Sequence, residues 1–171
     1  MAERLVDLAE LDALTDDLES LASALHNERL LTRLGLAQIR RIKKRTRAGV
    51  DVHGNPFAEY SDGYARLRTA AGVPRKRDML MYGVRVVDGE AEANAYDTML
   101  DHLHETVADD LQSVELDFDR DDKAELAGYH NEGEGHNPKR EFSAVNDGDL
   151  DALAELVDAD VLRTLRLSDL S

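Results

Sequence analysis

The stretch RTRAGVDVHGNPFAEYSDGYARLR, residues Arg45–Arg68, organises the chain, because a long helical region leads into it and a polar, acidic half follows it. The stretch is basic at both ends and rich in turn-forming residues at Asp51–Pro56. Gly54 and Asn55 can take a positive φ, and Pro56 blocks the continuation of a helix. We therefore predict a turn at Asp51–Pro56, after which aromatic side chains anchor the segment to the core. These side chains are Phe57, Tyr60 and Tyr64.

Two helices are predicted before this stretch. Leucines recur every three or four residues from Leu11 to Leu25, which predicts one stripe on a helix over residues 3–25. His26–Asn27 indicates a break, and a second helix fits residues 28–48, with Gly49 directly after its end. On this second helix, apolar side chains share one side and cations share the other. The cations are Arg29, Arg33, Arg40, Lys43, Lys44 and Arg47.

The basic side of the second helix allows several readings. It could contact nucleic acid or an acidic partner protein, and it could equally be a solvated face or a face paired with the acids of the first helix. No aromatic residues are interleaved with the cations for stacking on bases. We therefore expect a protein contact or solvation, and we do not expect direct contact with nucleic acid.

The remaining chain consists of short elements between turn-forming residues. Val114, Leu116 and Phe118 alternate with polar residues, which is the pattern of a half-buried strand. The first predicted elements are a short helix at Gly63–Ala71 capped by Ser61 or Asp62, a strand or short helix at Met79–Val87, a polar turn at Gly89–Asn94 and an apolar element that begins at Met99. They are followed by a strand at Ser113–Phe118, one or two helical turns at Lys123–Tyr129, a loop at Asn131–Asn137 and a strand at Glu141–Val145. The last predicted element is a helix that is capped by Asn146 or Asp147 and whose apolar stripe begins at Leu150.

This order of elements predicts an α+β fold, in which helices are segregated from a central, mostly antiparallel sheet. We expect residues 1–27 to form the N-terminal helix and residues 28–171 to form the rest of a single domain. A chain of 171 residues is long enough to bury a core, since about two-thirds of the unfolded surface is removed from water at this size.

The net charge of −15 comes from 22 Asp and 14 Glu against 16 Arg and 5 Lys. A surface so rich in carboxylates repels itself in dilute salt, and it is screened at high ionic strength, where the Debye length is about 3 Å at 1 M. The composition therefore indicates a high-salt cytoplasm, with an ordinary acidic protein as the alternative. It argues against binding to nucleic acid or to an anionic membrane through the whole surface. No signal peptide or membrane-spanning run is expected.

No pattern of residues predicts catalysis or a cofactor. His102 and His104 would share one face of a strand, but no third ligand is spaced to complete a zinc site. The run from Asp117 resembles the start of a calcium loop, yet Asp122 and Gly128 stand where that loop needs Gly and Glu. Without Cys, disulfides and thiolate metal sites are excluded. We expect no enzyme activity; a metal-assisted hydrolase using the two histidines is the weakest alternative.

Two segments together resemble a known family. The run RTRAGVDVHGNPFAEYS at Arg45–Ser61, followed by Tyr64, is similar to the signature R-T-x-x-G-x-D-x-x-G-x-x-F-x-x-Y-S-x-x-Y of tailed-phage virion morphogenesis proteins, the Mu-like tail-completion group. The second segment combines AGYHNEG at Ala127–Gly133, PKREF at Pro138–Phe142 and a later Asp149. It is similar to the closing pattern of the group, A-x-x-H-x-x-G … P-x-R-x-F … D. At Met79–Tyr96 the chain departs from the compact T-G-x-M-L of that group.

The resemblance implies a structural protein of the head–tail neck or the tail end of a tailed virus. It implies a ring of identical copies, six by tail symmetry, that binds neighbouring neck and tail proteins. The protein would be assembled in the host cytoplasm, would reside in the virion and would need no cofactor and no membrane. The acidic composition fits a halophilic host. The alternative is a small nucleic-acid-binding or regulatory protein that uses the basic side of the second helix.

The resemblance also implies roles for particular residues. Arg140 and Phe142 would position the last strand against the core. The loops at Asp51–Pro56 and Asn131–Asn137 would reach neighbouring subunits. His130 and Gly133 belong to the second segment and lie beside the latter loop in the sequence.

Overall fold

A computed structural model describes residues 15–16, 18–19, 21–22, 26–72, 83–94, 98–133 and 138–168. These residues have the predicted α+β fold, and they form four α-helices of nine or more residues and two small antiparallel sheets of two strands each. The helices are α1 at Glu28–Ala48, α2 at Asp62–Ala70, α3 at Asp121–Glu132 and α4 at Asp147–Ser168. The strands are β1 at Gly83–Val87, β2 at Glu90–Asn94, β3 at Leu103–Val107 and β4 at Val114–Phe118, and a 3₁₀ turn at Met99–His102 leads into β3.

Helix α1 has the ends that the sequence predicts. It begins after Asn27, whose side-chain oxygen accepts a hydrogen bond from the backbone N–H of Arg29. It ends at Gly49, which has a φ of 76°, a conformation that costs glycine little because it has no Cβ. Ile39 and Ile42 on its apolar side are buried. The second predicted helix is therefore confirmed, with both of its boundaries.

The core lies where α1 packs against the β3–β4 hairpin and the 3₁₀ turn. Its buried members are Ile39, Ile42, Phe57, Met99, Leu100, Leu103, Ala127 and Phe142. Leu116 and Phe118 are partly buried against it, so the predicted alternation of β4 is confirmed. Gly35 lets the helix approach the hairpin closely, because a Cβ at this position would lie 2.6 Å from the Cβ of Glu105.

The predicted central sheet is two separate hairpins in the described part of the chain. The strands β1 and β2 pair from Gly83↔Asn94 to Val87↔Glu90, and β3 and β4 pair from Leu103↔Phe118 to Val107↔Val114. The polar turn predicted at Gly89–Asn94 is wrong, since β2 begins at Glu90. The turn is Asp88–Gly89, where both residues have a positive φ, as a tight two-residue hairpin requires.

The strand predicted at Glu141–Val145 is also wrong, because this segment forms no ladder with any described strand. Its carbonyl groups bind other partners instead. The carbonyl oxygens of Phe142 and Ala144 accept hydrogen bonds from the side chain of Arg45, and that of Glu141 accepts one from the backbone of Val52. A side chain thus satisfies backbone groups that a neighbouring strand would otherwise satisfy.

Other boundaries differ from the predictions. The helical turns predicted at Lys123–Tyr129 extend over the twelve residues of α3, so the loop predicted at Asn131–Asn137 starts only after Glu132, and residues 134–137 lie outside the described ranges. Leu150 is 56% exposed, so the apolar stripe of α4 does not begin in the core. Of the helix predicted over residues 3–25, the six described residues are helical, and the others lie outside the described ranges. So does the part of Met79–Val87 that precedes β1.

Candidate interaction surfaces

The two segments that carry the resemblance meet at one place, which we call the junction. It consists of Arg45, Val52, Phe142, Asn146 and Asp149. Arg45 donates from Nε to the carbonyl of Phe142 at 2.9 Å and from Nη1 to Asp149 Oδ2 at 2.5 Å. Asn146 donates from its side chain to the carbonyl of Val52 at 2.6 Å. The junction therefore ties the end of α1 and the turn after it to the start of α4.

Asp149 is the centre of the junction. Its carboxylate is 5% exposed and accepts hydrogen bonds from Gln38 at 3.1 Å and from Arg45. Arg41 lies 3.4 Å away. Burial opposes ionisation of this carboxyl group, but the hydrogen bonds from Gln38 and Arg45 and the charge of Arg45 outweigh burial and hold its pKa below the ordinary value. The carboxylate is thus a charged partner for a guanidinium group that is itself nearly buried.

Asp149 also completes the N-terminal cap of α4. The side-chain oxygen of Asn146 accepts a hydrogen bond from the backbone N–H of Asp149 at 2.8 Å. In return, the carboxylate of Asp149 accepts one from the backbone N–H of Asn146 at 3.3 Å. This reciprocal pair satisfies two backbone donors that a helix start leaves open, and the predicted cap at Asn146 is confirmed.

The turn at Asp51–Pro56 has a fixed internal structure. The carboxylate of Asp51 accepts hydrogen bonds from the backbone N–H groups of His53 at 2.9 Å and Asn55 at 2.8 Å. Gly54 has a φ of 83°, as predicted, whereas Asn55 does not take a positive φ. Val50 and Pro56 form an antiparallel bridge that closes the turn. The exposed tip is therefore presented by a preformed scaffold, and the predicted turn is confirmed.

The aromatic residues after the turn hold two buried arginines. The guanidinium groups of Arg68 and Arg140 lie over the ring of Tyr60, with Cζ 4.8 Å and 5.7 Å from its centre. Tyr64 contacts Tyr60 edge to face, at 4.8 Å between ring centres. Phe57 is buried in the core. The predicted anchoring of Phe57 is confirmed, and Tyr60 is partly buried against the core; Tyr60 also carries cation–π contacts that the sequence did not indicate.

His130 and Gly133 also make internal contacts. His130 Nδ1 lies 3.3 Å from Nη1 of Arg140, and its backbone carbonyl accepts a hydrogen bond from the backbone N–H of Arg140 at 2.7 Å. Burial and the nearby charge of Arg140 lower the pKa of His130 to about 4, so the ring is neutral at pH 7. Gly133 ends α3 with a φ of 76°, where a Cβ would lie 2.9 Å from the backbone of Lys139.

The cations of α1 fall into two sets. We call Arg33, Arg41 and Arg45 the paired cations, because they bind acids of α4. Arg33 Nη1 lies 2.5 Å from Oδ1 of Asp160, a carboxylate that is 4% exposed. Since Arg33 pairs with Asp160 and Arg45 pairs with Asp149, α1 and α4 lie side by side and antiparallel. Arg33 was predicted on the outward basic side; Arg41 and Arg45 were not singled out there.

The second set, which we call the outer cations, comprises Arg29, Arg40, Lys43, Lys44 and Arg47. Lys43 is half-buried, and the other four are exposed. Among the residues that the structure describes, no ion pair involves any of these five cations. Five of the six cations predicted on the outward basic side thus belong to this set, and four of the five are exposed.

A groove of about 390 Å³ lies between the end of α1, the turn after it and the start of α4. Arg41 and Lys44 line one part of it, and Asp51 and Asp149 line another. Both signs of charge are thus present on its wall. The groove does not select an anion or a cation by charge alone.

No protein-family model, curated protein or solved structure matches the chain.

Within the described ranges, no group of three or more histidines and acids is placed to hold a metal ion. Nδ1 of His102 lies 2.6 Å from Oδ1 of Asp119. None of the described helices is long and apolar enough to cross a membrane.

Proposed function

We propose that this protein is a structural subunit of a tailed virus, in the head–tail neck or at the tail end, and that its copies assemble into a ring. One observation carries the proposal: the two segments that resemble the tail-completion group converge in the junction. Arg45 of the first segment binds Asp149 and the carbonyl of Phe142 of the second segment. Residues about 100 positions apart in the chain thus act as one structural unit.

The organisation of the junction suits a subunit that binds several neighbours. Buried charges, a capped helix and a closed turn hold the backbone there, so a partner meets a surface that is already ordered. The tip of the turn at His53–Pro56 is exposed, and so are four of the five outer cations. A rigid interior with polar outward features is what a ring subunit with contacts on more than one side requires.

The two hairpins offer a further kind of contact. Within the described residues, no third strand pairs with either hairpin, so each has outer edges whose N–H and C=O groups can pair with another chain. The resemblance favours six copies and neck or tail proteins as the neighbours. The acidic composition favours a virus of a halophilic host. The proposed role needs no cofactor and no catalytic group.

The experiment that tests this proposal is the native mass in high salt, measured by light scattering after size-exclusion chromatography. A closed ring, with six copies expected, supports the proposal, and electron microscopy of the same fraction should then show annular particles. A single-copy mass at every protein concentration contradicts assembly in solution.

The second candidate is a nucleic-acid-binding protein, and the exposure of the outer cations is the observation that favours it. Binding through Lys and Arg to phosphates weakens linearly with the logarithm of salt concentration. Titration of the monomer with duplex DNA at several salt concentrations tests this candidate. A steep salt dependence supports it, and no binding at the lowest salt in which the protein is folded removes it.

A further inference from the structure

Helix α1 carries a stripe of three cations and one leucine. Its members recur at intervals of four, three and four residues, which places them on one side of a helix. We call these residues the basic stripe: Leu36, Arg40, Lys43 and Arg47. Leu36 is 36% exposed, two of the cations are exposed and Lys43 is half-buried. At about 3.6 residues per turn, the stripe lies on the side of α1 opposite Gln38 and Arg45, which bind Asp149 of α4.

Helix α4 carries a stripe with the same intervals and the opposite charge. We call these residues the acidic stripe: Asp151, Glu155, Asp158 and Leu162. All four are exposed, and Leu162 is 55% exposed. The stripe lies on the side of α4 opposite Asp149 and Asp160, which bind α1. The layer that α1 and α4 form therefore has a basic outer face on one side and an acidic outer face on the other.

Neither stripe is paired within the described part of the chain. The ion pairs that α1 and α4 form there all involve Asp149 or Asp160, and neither residue belongs to a stripe. Because the stripes lie on opposite faces of the same layer, the two stripes of one copy cannot meet each other. The stripes of two different copies can.

The intervals of the stripes match when the two helices lie antiparallel, as α1 and α4 already do within one copy. Placing Arg40 opposite Asp158 sets the register. This register brings together Lys43 with Glu155, Arg47 with Asp151 and Leu36 with Leu162. Three ion pairs and one apolar pair thus follow from a single placement, along about 17 Å of helix. A shift of one helical turn would place Leu36 opposite Asp158, so the leucine pair selects the register.

We infer that the basic stripe of one copy packs antiparallel against the acidic stripe of a second copy. This inference names the contact between subunits in the proposed ring and rests on that proposed function. The two stripes differ, so the contact is head to tail, and such contacts close into a ring when the rotation between subunits allows it. At 1 M salt the Debye length is about 3 Å, so charges in direct contact still attract each other, and salt does not screen the leucine pair.

A single contact of this kind is weak, because a lasting pair of proteins usually buries more than about 1,000 Å². In a closed ring, however, two contacts hold each copy, and a copy leaves only when both are broken at the same time. Each contact thereby raises the effective concentration at which the other forms. We therefore expect rings and monomers with few intermediate species, and a ring fraction that rises steeply with protein concentration.

A disulfide bond tests the register directly, since the chain contains no cysteine of its own. One chain carries Leu36→Cys, and a second chain, lengthened by a tag, carries Leu162→Cys. A disulfide requires Cα atoms within about 7 Å of each other. After oxidation of an equimolar mixture, heterodimers should exceed the two kinds of homodimer together several-fold, whereas random collision would make these amounts equal.

The matched control for the disulfide replaces Leu162→Cys by Asp147→Cys. Asp147 is exposed on the same helix, about 22 Å from Leu162 along its axis. In the proposed register, this position does not lie opposite Leu36. Heterodimers in the control mixture should therefore equal the homodimers.

Charge reversal tests the same contact by light scattering. Two variants reverse one stripe each: Arg40→Glu with Arg47→Glu, and Asp151→Lys with Asp158→Lys. Each variant alone should lose the ring of the wild-type protein. An equimolar mixture should regain it with alternating subunits, because each variant then meets a stripe of opposite charge. Arg66→Glu with Lys139→Glu, at exposed positions outside α1, changes the net charge as much as the first variant does and should keep the ring.

Circular dichroism and thermal melting establish that each variant is folded before its mass is interpreted. A ring that persists in both reversed variants, with heterodimers at the random level, overturns the inference and leaves the proposed ring standing. A monomeric wild type with heterodimers at the random level contradicts both. Excess heterodimers from a wild type that stays monomeric support the contact and overturn only the ring in solution.

Discussion

The two sets of cations on α1 belong to one helix and differ in their surroundings. The paired cations meet carboxylates that are 4–5% exposed; Arg45 itself is 10% exposed, whereas Arg33 and Arg41 are each 38% exposed. The outer cations face solvent, apart from the half-buried Lys43. Residue type does not separate the two sets, because arginines occur in both. In this acidic chain, the position of α4 decides which cations of α1 pair with a nearly buried carboxylate and which do not.

The energetic difference between Arg45 and the outer cations should be large. Removing one member of a buried ion pair leaves an uncompensated charge away from water, at a cost of about 3–5 kcal/mol. Removing one exposed charge costs only about 0.2–1 kcal/mol. Substitutions at Asp149 and at the outer cations test this contrast, and substitutions at His130 and Gly35 test two other buried contacts.

The largest effect is expected for Asp149→Ala. This change leaves Arg45 without its carboxylate and removes the reciprocal cap of α4, so the free energy of unfolding should fall by about 3–5 kcal/mol. Urea denaturation followed by circular dichroism measures the loss. The matched control is Asp147→Ala, at the exposed first position of the same helix, which should lose less than about 1 kcal/mol. Equal losses in the two variants would refute the contrast.

A second test uses Arg140, a buried cation that contacts His130 and the ring of Tyr60 instead of a carboxylate. The pKa of His130 is about 4 in the folded protein, against an ordinary value of 6.5. As pH falls from 6.5 towards 4, the unfolded chain therefore takes up this proton first, and stability falls by up to about 3 kcal/mol. Below the folded pKa, this contribution changes no further.

His130→Gln should remove that part of the pH dependence, which unfolding curves between pH 7 and pH 4 would detect as a shallower slope. Asp149 contributes at lower pH: its stabilisation is complete above the ordinary carboxyl pKa and is lost as pH falls through its lowered folded pKa. An unchanged slope in His130→Gln would mean that the pKa of His130 is the same in the folded and the unfolded protein.

A third substitution tests the side of α1 that faces the β3–β4 hairpin. Gly35→Ala places a Cβ 2.6 Å from the Cβ of Glu105, so the helix or the hairpin must move, at a cost of about 1–3 kcal/mol. Gly63→Ala in α2 is the control, since no atom lies within 4 Å of its Cβ position. That change should stabilise the protein by about 0.5–1 kcal/mol through helix propensity. Melting temperatures that rise in both variants would show that α1 has room to shift.

The smallest effect is expected for the outer cations. Lys44→Gln and Arg47→Gln should each change the free energy of unfolding of the monomer by about 0.5 kcal/mol or less. The same denaturation measurement, made at a protein concentration where the monomer dominates, tests this. A loss above about 1 kcal/mol would mean that these residues stabilise the fold as the paired cations do, and it would refute the contrast between the two sets of cations.

Local signals in the sequence predicted a large part of the fold. Asn27 and Gly49 bound α1, Ser61 caps α2, and Asp51 with Gly54 forms a turn. Each of these features depends on residues within a few positions of one another. The alternation of apolar and polar residues in β4 was also predictable from the sequence, because one face of the strand contacts the core and the other contacts water.

The predictions of strands were wrong where a residue distant in the sequence determines the local structure, or where a strand consists mainly of polar and small residues. Glu141–Val145 alternates like a strand, but Arg45 occupies its carbonyls. The strand β2 contains two glutamates and two alanines, and this polar composition hid it, although Asp88–Gly89 is the dipeptide that tight hairpins prefer.

The candidate site was only partly accessible from the sequence. The outer cations follow from helical periodicity, whereas the roles of Arg41, Arg45 and Asp149 depend on how α4 lies against α1. One signal was available: basic residues on one helix and acids on another, spaced so that antiparallel packing brings them together.

The junction also sets an order of events during translation. Asp149 follows Arg45 by 104 residues, and ribosomes add about 5–20 residues per second, so α1 waits roughly 5–20 s for this carboxylate to be synthesised. Throughout that interval, the nascent chain contains the basic sequence of α1 without the two α4 carboxylates that pair with it. The fold around Arg45 therefore forms late, and a messenger RNA cut short before the codon for Asp149 would yield a chain that cannot complete it.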